Sequence, residues 1–256
     1  MTEVELAKIS VDRVSKTFGS RGSEYVALQA VSLEIPKRDF LCLLGPSGCG
    51  KTTLLTLLGG FEEPTSGSIR VGKLPVSGPS VDRVVVFQDA GAALFPWLNV
   101  RENVEYGPRI RHVSPDKYRD TVQSLLKMVG LDSHSSKFPH ELSGGMKQRL
   151  QIARALVNEP ELLLMDEPFA ALDAITKRAL QSELVRIWKN TAVTVVYVTH
   201  DIIEALLLGT RIAIMTTSPR ARVKAILNVD LKAADRTPSS DQFAALYGQV
   251  EALLRD

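Results

Sequence analysis

One segment constrains this chain more than any other: Gly45-Pro46-Ser47-Gly48-Cys49-Gly50-Lys51-Thr52. It follows the apolar run Phe40-Leu41-Cys42-Leu43-Leu44 and precedes Thr53-Leu54-Leu55-Thr56-Leu57-Leu58, so a strand, a glycine-rich loop and a helix are expected in that order. Glycines let the backbone curl until successive N–H groups point inward at phosphate oxygens. The helix that follows adds its free N–H groups and the positive end of its dipole. Residues Gly45, Pro46, Ser47, Gly48, Cys49, Gly50, Lys51, Thr52 and Thr53 are therefore candidate nucleotide contacts. Lys51 is suited to bridge β- and γ-phosphates, and the Thr52 hydroxyl to ligate Mg²⁺.

Around this loop, short β-like runs alternate with helical patterns, which points to an α/β architecture. The first third is strand-rich, at 7–14, 26–35, 40–44, 68–71 and 83–87. The middle is helical. Ser114-Pro115 reads as an N-cap with proline in the first turn, Tyr118, Val122, Leu125, Leu126 and Val129 recur at helical spacing, and Gly130 is placed to end the helix. A second helix is expected to begin near Ser143 and stop before Pro160. Residues 161–165 form a near-continuous apolar run suited to a strand buried on both faces. Ile175, Leu180, Leu184, Ile187 and Trp188 mark an amphipathic helix, 193–199 another buried strand, and 211–215 the last strand expected. Residues 236–240 read as a loop before a short terminal helix.

The run Leu162-Leu163-Leu164-Met165-Asp166-Glu167-Pro168 sets two carboxylates at the end of a buried strand. Charge at such a position is costly unless something uses it. Asp166 is suited to orient Mg²⁺, and Glu167 to polarise an attacking water as general base. Taken alone, the pair also fits a helix cap or a solvated surface; the phosphate loop upstream favours the chemical reading. His200, just beyond the run 193–198, is either a structural histidine or a contact for the γ-phosphate. His112, His134 and His140 have no metal-ligand spacing and read as surface or capping residues.

Composition closes off several classes. The chain has 256 residues, 45% hydrophobic and 23% charged, with a formal charge of +2, so bulk electrostatics give no footprint for nucleic acid. No stretch reaches the roughly 18 consecutive apolar residues that span a bilayer, and Glu3 and Glu5 stand where a secretory signal needs basic residues. Any membrane connection is expected to run through a partner. Two cysteines are too few for a disulfide framework and fit a reducing compartment.

The segment Leu142-Ser143-Gly144-Gly145-Met146-Lys147-Gln148-Arg149 resembles the signature motif of ABC ATPases. Physically, Ser143, Gly144 and Gly145 open a helix as a second anion site, with N–H groups, a hydroxyl and a dipole. The resemblance implies that the signature of one subunit closes over the phosphate loop of another, sandwiching ATP in a homodimer or ATPase pair. It further matches Gln88 to the glutamine that senses γ-phosphate and Mg²⁺, and Ala171-Leu172-Asp173 to the loop that crosses the dimer interface. Phe18 falls where the family places an aromatic under adenine; an ordinary core aromatic is the other reading. The likeness runs from Ile9 to about Met215. It implies a P-loop NTPase core with an N-terminal antiparallel β-subdomain and an inserted α-helical subdomain, all one domain. About 1–87 and 160–218 would form the core with the β-subdomain, 88–159 the helical subdomain, and 219–256 a short tail.

Finer features, from Gly78-Pro79-Ser80-Val81-Asp82-Arg83 to Leu94-Phe95-Pro96-Trp97-Leu98-Asn99-Val100, resemble importer ATPases for taurine, nitrate and alkyl sulfonates. The implied partners are integral membrane permease subunits and, indirectly, an extracytoplasmic solute-binding protein, with no nucleic acid. The implied location is peripheral, on the cytoplasmic face of the inner membrane. The region of Phe95, Pro96 and Trp97 would receive the permease; Trp97 either anchors that contact or lies buried in its subdomain. Ala170 stands where the family shows glycine, and Gly209-Thr210-Arg211 replaces the usual Ala-Asp-Arg. About forty residues follow Met215, too few for an added regulatory barrel. Two alternatives stand beside the importer: an exporter or lipid-trafficking ATPase of the same fold, and a soluble ABC-fold ATPase acting on nucleic acid or the ribosome.

Overall fold

In a computed structural model that describes residues 9–19, 23–170, 172–191 and 193–255, the chain forms two units. One takes in Met1–Ser80 and Thr194–Asp256, the other Val81–Val193. Along the chain, the first unit contributes strands β1 (Ile9–Phe18), β2 (Tyr25–Ile35) and β3 (Phe40–Leu44), helix α1 (Lys51–Gly59), and strands β4 (Ser66–Val71) and β5 (Leu74–Pro75). The second holds β6 (Arg83–Val86), α2 (Ala90–Ala93), α3 (Val100–Ile110), α4 (Pro115–Met128), α5 (Gly144–Leu156), β7 (Leu162–Asp166) and α6 (Ala174–Asn190). The first then resumes with β8 (Thr194–Thr199), α7 (Ile202–Leu208), β9 (Arg211–Met215), β10 (Val223–Asn228) and α8 (Asp241–Arg255).

Within the first unit, β2, β1, β4 and β5 form an antiparallel sheet in that order. Alternation of buried and exposed positions along β2 leaves one face to solvent, as such sheets allow. Strand β3 pairs in parallel with β8 on one side and β9 on the other, and β10 adds antiparallel to β9. Every residue of β3 and β8 is buried, which is why both read as unbroken apolar runs. In the second unit β6 and β7 pair in parallel, Val86 opposite Met165.

Helix boundaries in the second unit follow their caps. Helix α4 starts with Pro115 in its first turn and ends before Gly130, whose φ of 66° takes the left-handed conformation that favours glycine. Helix α3, for which the sequence reading names no element, is started by a capping box. Asn99 Oδ1 accepts from Glu102 N–H at 2.9 Å, and Glu102 Oε2 accepts from Asn99 N–H at 2.9 Å.

Four expectations change. Strand β9 is not the last: β10 follows, an edge strand with alternate residues exposed, whose interleaved Lys224 and half-covered apolar residues hide it. The terminal helix has 15 residues rather than a short run. Ile175 is 84% exposed and lies off the buried stripe of α6, which runs through Leu180, Leu184 and Ile187; Trp188 is half-buried. The first strand runs on to Phe18, with register shifts along its pairing with β2; its expected start at Ala7 lies outside the described residues.

Candidate functional site

The phosphate loop leaves β3 at Gly45 and enters α1 at Lys51. Gly48 and Gly50 have φ of 75° and 90°, and a Cβ at Gly50 would sit 2.8 Å from Leu28 Cδ2, so that turn is closed to other residues on both counts. Gly50 caps α1 without a side chain, which leaves the backbone N–H groups of the first turn directed into the loop. Lys51 is 4% exposed and donates to the carbonyls of Gly45 at 2.7 Å and Pro46 at 2.8 Å, which hold its ammonium inside the loop. Cys49 is buried in the same turn; burial pushes its thiol up, against an opposing pull from the Lys51 charge. Pro46, Ser47, Gly48 and Thr52 are exposed, and Thr53 is half-buried.

His200 belongs to the same unit, and its place follows from strand register. Leu44, which precedes Gly45, pairs with Thr199, which precedes His200. The loop and the histidine therefore leave adjacent parallel strands at the same level, His200 exposed. Phe18, at the end of β1, is 38% exposed rather than core, and Lys16 Nζ stands 5.1 Å from its ring centroid.

In the second unit Asp166 ends β7 and Glu167 follows with φ of 43°, a left-handed conformation that costs a non-glycine residue energy. Its carbonyl accepts from Ala170 N–H at 3.1 Å, closing a tight turn. Both carboxylates are half-buried. Gln88 lies exposed after β6, and Asp89 beside it caps α2. The signature forms the start of α5. Ser143 caps the helix by accepting from Met146 N–H at 3.3 Å, which leaves its O–H to donate. A Cβ at Gly145 would lie 2.9 Å from Thr176 Cγ2, so this glycine lets α5 approach α6. Asp173 caps α6, accepting from Ile175 N–H and Thr176 N–H at 3.1 Å each; hydrogen bonds from Thr176, the side chain first, draw its carboxyl below the usual range. Ala171 lies outside the described residues.

A family model described as ABC transporter matches residues 28–170. The chain is an ABC transporter ATP-binding protein. It is 46% identical to the nitrate import ATP-binding protein NrtD of Synechococcus elongatus, over 85% of this chain and 80% of that one. It is 45% identical to the taurine import ATP-binding protein TauB of a Jannaschia species, over 82% and 78%. Among solved structures, the dimeric post-hydrolysis state of the ATP-binding cassette MJ0796 bound to ADP and Pi matches with a TM-score of 0.73 and 30% identity, over 88% of this chain and all of that one.

The cassette also carries polar residues that pattern reading passed over. Helix α5 is tied to the segment after β6 at two points. Gln151, its amide turned so that nitrogen faces the carbonyl, donates to Phe87 O at 3.0 Å and accepts from Phe87 N–H at 3.1 Å. Arg154 donates to Ala93 O and lies 4.4 Å from the Phe95 ring centroid. Buried Asn103 brackets Phe95, accepting from its N–H at 3.0 Å and donating to its carbonyl at 3.1 Å. Phe95 in turn packs at a tilt against Tyr106 and Trp97, and Trp97 is 68% exposed, so its ring is a surface feature of this cassette. The Asn99/Glu102 spacing was the available signal for this region; nothing in sequence marks Gln151 or Arg154. Thr210, at the departure from Ala-Asp-Arg, donates to Asp39, which also accepts from Arg211 at 3.1 Å. An aspartate there would face Asp39 instead.

Proposed function

We propose that this cassette hydrolyses MgATP as one half of a dimer and thereby drives solute uptake through a membrane permease. The reading is carried by one observation: the phosphate loop and His200 leave paired strands at one level, with the Lys51 ammonium already fixed inside the loop. That is the construction needed to hold a triphosphate and contact its terminal group. Lys51 neutralises β- and γ-phosphate charge, the loop N–H groups bind oxygens between them, and Phe18 stacks on the base. Glu167 accepts a proton from the attacking water, and His200 and Gln88 contact the γ-phosphate and hold that water. Ser143, Gly144 and Gly145 of the partner close the site with N–H and O–H donors, and Asp173 lines the dimer interface.

The motif correspondence assigns the metal to the Thr52 hydroxyl of one unit and to the Gln88 amide and Asp166 carboxylate of the other, all of them oxygen donors. An oxygen-only set fits Mg²⁺ rather than a softer ion. Bound there, Mg²⁺ would offset the charge that develops on the phosphates.

Importer partnership rests on the likeness to nitrate and taurine import proteins over more than three quarters of both chains. Among the described residues no helix is long and apolar enough to cross a membrane. The same likeness to import proteins supports assigning the membrane-spanning role to a separate subunit, with this one peripheral on the cytoplasmic face of the inner membrane. We assign the permease contact to the surface around exposed Trp97 and half-buried Phe95; an extracytoplasmic binding protein selects the solute. The test is to tag the chain, solubilise its native membranes in mild detergent and identify what co-purifies. A multi-span protein in equal amount supports the reading. Recovery with ribosomes or nucleic acid, from the soluble fraction only, overturns it.

A further inference from the structure

Glu204 is a carboxylate only 5% exposed, on the first turn of α7, four residues beyond His200. A buried charge lowers stability unless it is well partnered, and an apolar side chain of similar size usually serves the core as well. Its partners converge on the residues that flank His200. Thr199 Oγ1 donates to Glu204 Oε2, and Tyr197, two residues earlier on β8, donates its O–H to Glu204 Oε1 at 3.4 Å. The Thr199 hydroxyl also accepts from Asp201 N–H at 3.0 Å. Thr199 and Asp201 are the neighbours of His200 in the chain, so a single hydroxyl, aimed by Glu204, ties the backbone on both sides of the histidine. Asp201 then caps α7 by accepting from Ile203 N–H at 2.8 Å, and Arg236 holds the far end of that helix through the carbonyls of Leu206 and Leu207 at 3.0 Å each.

The surrounding titratable groups preserve this arrangement. Burial first, and the Glu204 charge second, push Tyr197 and Cys42 upward, so at neutral pH both stay protonated and Tyr197 remains a donor. The buried carboxylate is thus an acceptor with hydroxyl donors on both oxygens.

We propose that Glu204 and Thr199 are positioning residues for ATP hydrolysis, holding the backbone of His200 at the level of the phosphate loop. The inference rests on the reading of His200 as a γ-phosphate contact. It differs from a merely structural role in one respect: the effect of Thr199 must pass through His200.

The experiment compares steady-state ATP hydrolysis and MgATP binding in wild type, Thr199→Val, Thr199→Ser, Glu204→Gln, Glu204→Leu, His200→Ala and the His200→Ala/Thr199→Val double variant. Thr199→Val is expected to lower kcat ~tenfold with KM for ATP unchanged within about twofold, as loss of a transition-state contact does. Thr199→Ser restores most of that rate, because it returns the hydroxyl. Glu204→Leu matches Thr199→Val, while Glu204→Gln loses less, since an amide oxygen still accepts. The double variant turns over within about twofold of His200→Ala alone, because the two changes remove one interaction.

If His200→Ala is slow but Thr199→Val keeps the wild-type rate, the positioning role is wrong and the reading of His200 stands. If the double variant loses the product of both single effects, Thr199 acts independently and the proposal falls. A wild-type rate in His200→Ala removes the reading of His200 itself, and the proposal with it. Measured MgATP binding in each variant separates a folded, slow cassette from an unfolded one.

Discussion

Two helix starts in this cassette are proposed to receive phosphate, and they are built in opposite ways. Helix α1 begins after a glycine in the left-handed conformation, has no side-chain cap, and carries a buried lysine held by two carbonyls of its own loop. Helix α5 begins after Ser143, exposed and self-capped, with no acidic residue in its first turn and an exposed Gly144 beside it. The first is a finished cradle with its cation in place. The second offers a hydroxyl and a dipole end on an open surface, and a helix end of that kind is worth only ~0.3–1 kcal/mol where water competes. On the proposed reading, the first start binds nucleotide unaided and the second adds to binding only when another chain excludes water.

Substitutions can break that contrast, and they fall in order of expected effect. Ser143→Arg is expected to abolish ATP hydrolysis while monomer nucleotide binding, read by equilibrium titration, stays nearly intact. Surviving turnover would put both helix starts on one footing and remove the two-subunit site. Glu167→Gln should slow turnover at least about a hundredfold with ATP still bound, as loss of a general base does. Unchanged hydrolysis would take Glu167 out of the mechanism. Lys51→Ala is expected to weaken MgATP binding by the monomer about a hundredfold, the scale of one charge-assisted bond of 2–3 kcal/mol. A much smaller loss would mean that the loop N–H groups, not the cation, dominate. Asn103→Ala removes a buried amide that brackets Phe95 and should cost about 1–3 kcal/mol in thermal or denaturant unfolding. Monomer MgATP affinity should be unchanged by it, since the hydrogen bonds of Asn103 go to Phe95, Leu98 and Asn99, none of them assigned to nucleotide.

How much of this was legible in sequence follows from where each residue sits. Lys51, Asp166 and His200 follow apolar runs that become fully or almost fully buried strands, and a buried strand announces its end sharply. The helix breaks at Gly130 and before Pro160 were equally visible, because glycine and proline act through backbone geometry alone. Packing was harder to see. Ile175 belongs to the same helix as Leu180 and Leu184, but five and nine residues before them it lies about 140° and about 180° round the axis, so the helical period itself puts it off the stripe, and it is exposed. Strand β10 was missed because an edge strand with one covered face carries half the apolar signal of β3. Glu204 resembles any surface glutamate of a short helix; only the fold brings the Thr199 and Tyr197 hydroxyls to it.

The surface ring at Trp97 has an optical consequence. The chain has two tryptophans, and the other, Trp188, is half-buried. With Trp188→Phe, all indole emission would come from one position on the proposed permease contact. A solvent-facing indole emits to the red and shifts blue when an apolar partner covers it. Titrating the cassette with detergent-solubilised permease would then read docking directly as a change of colour. An emission maximum that stays red through a saturable binding curve would move the contact to another face.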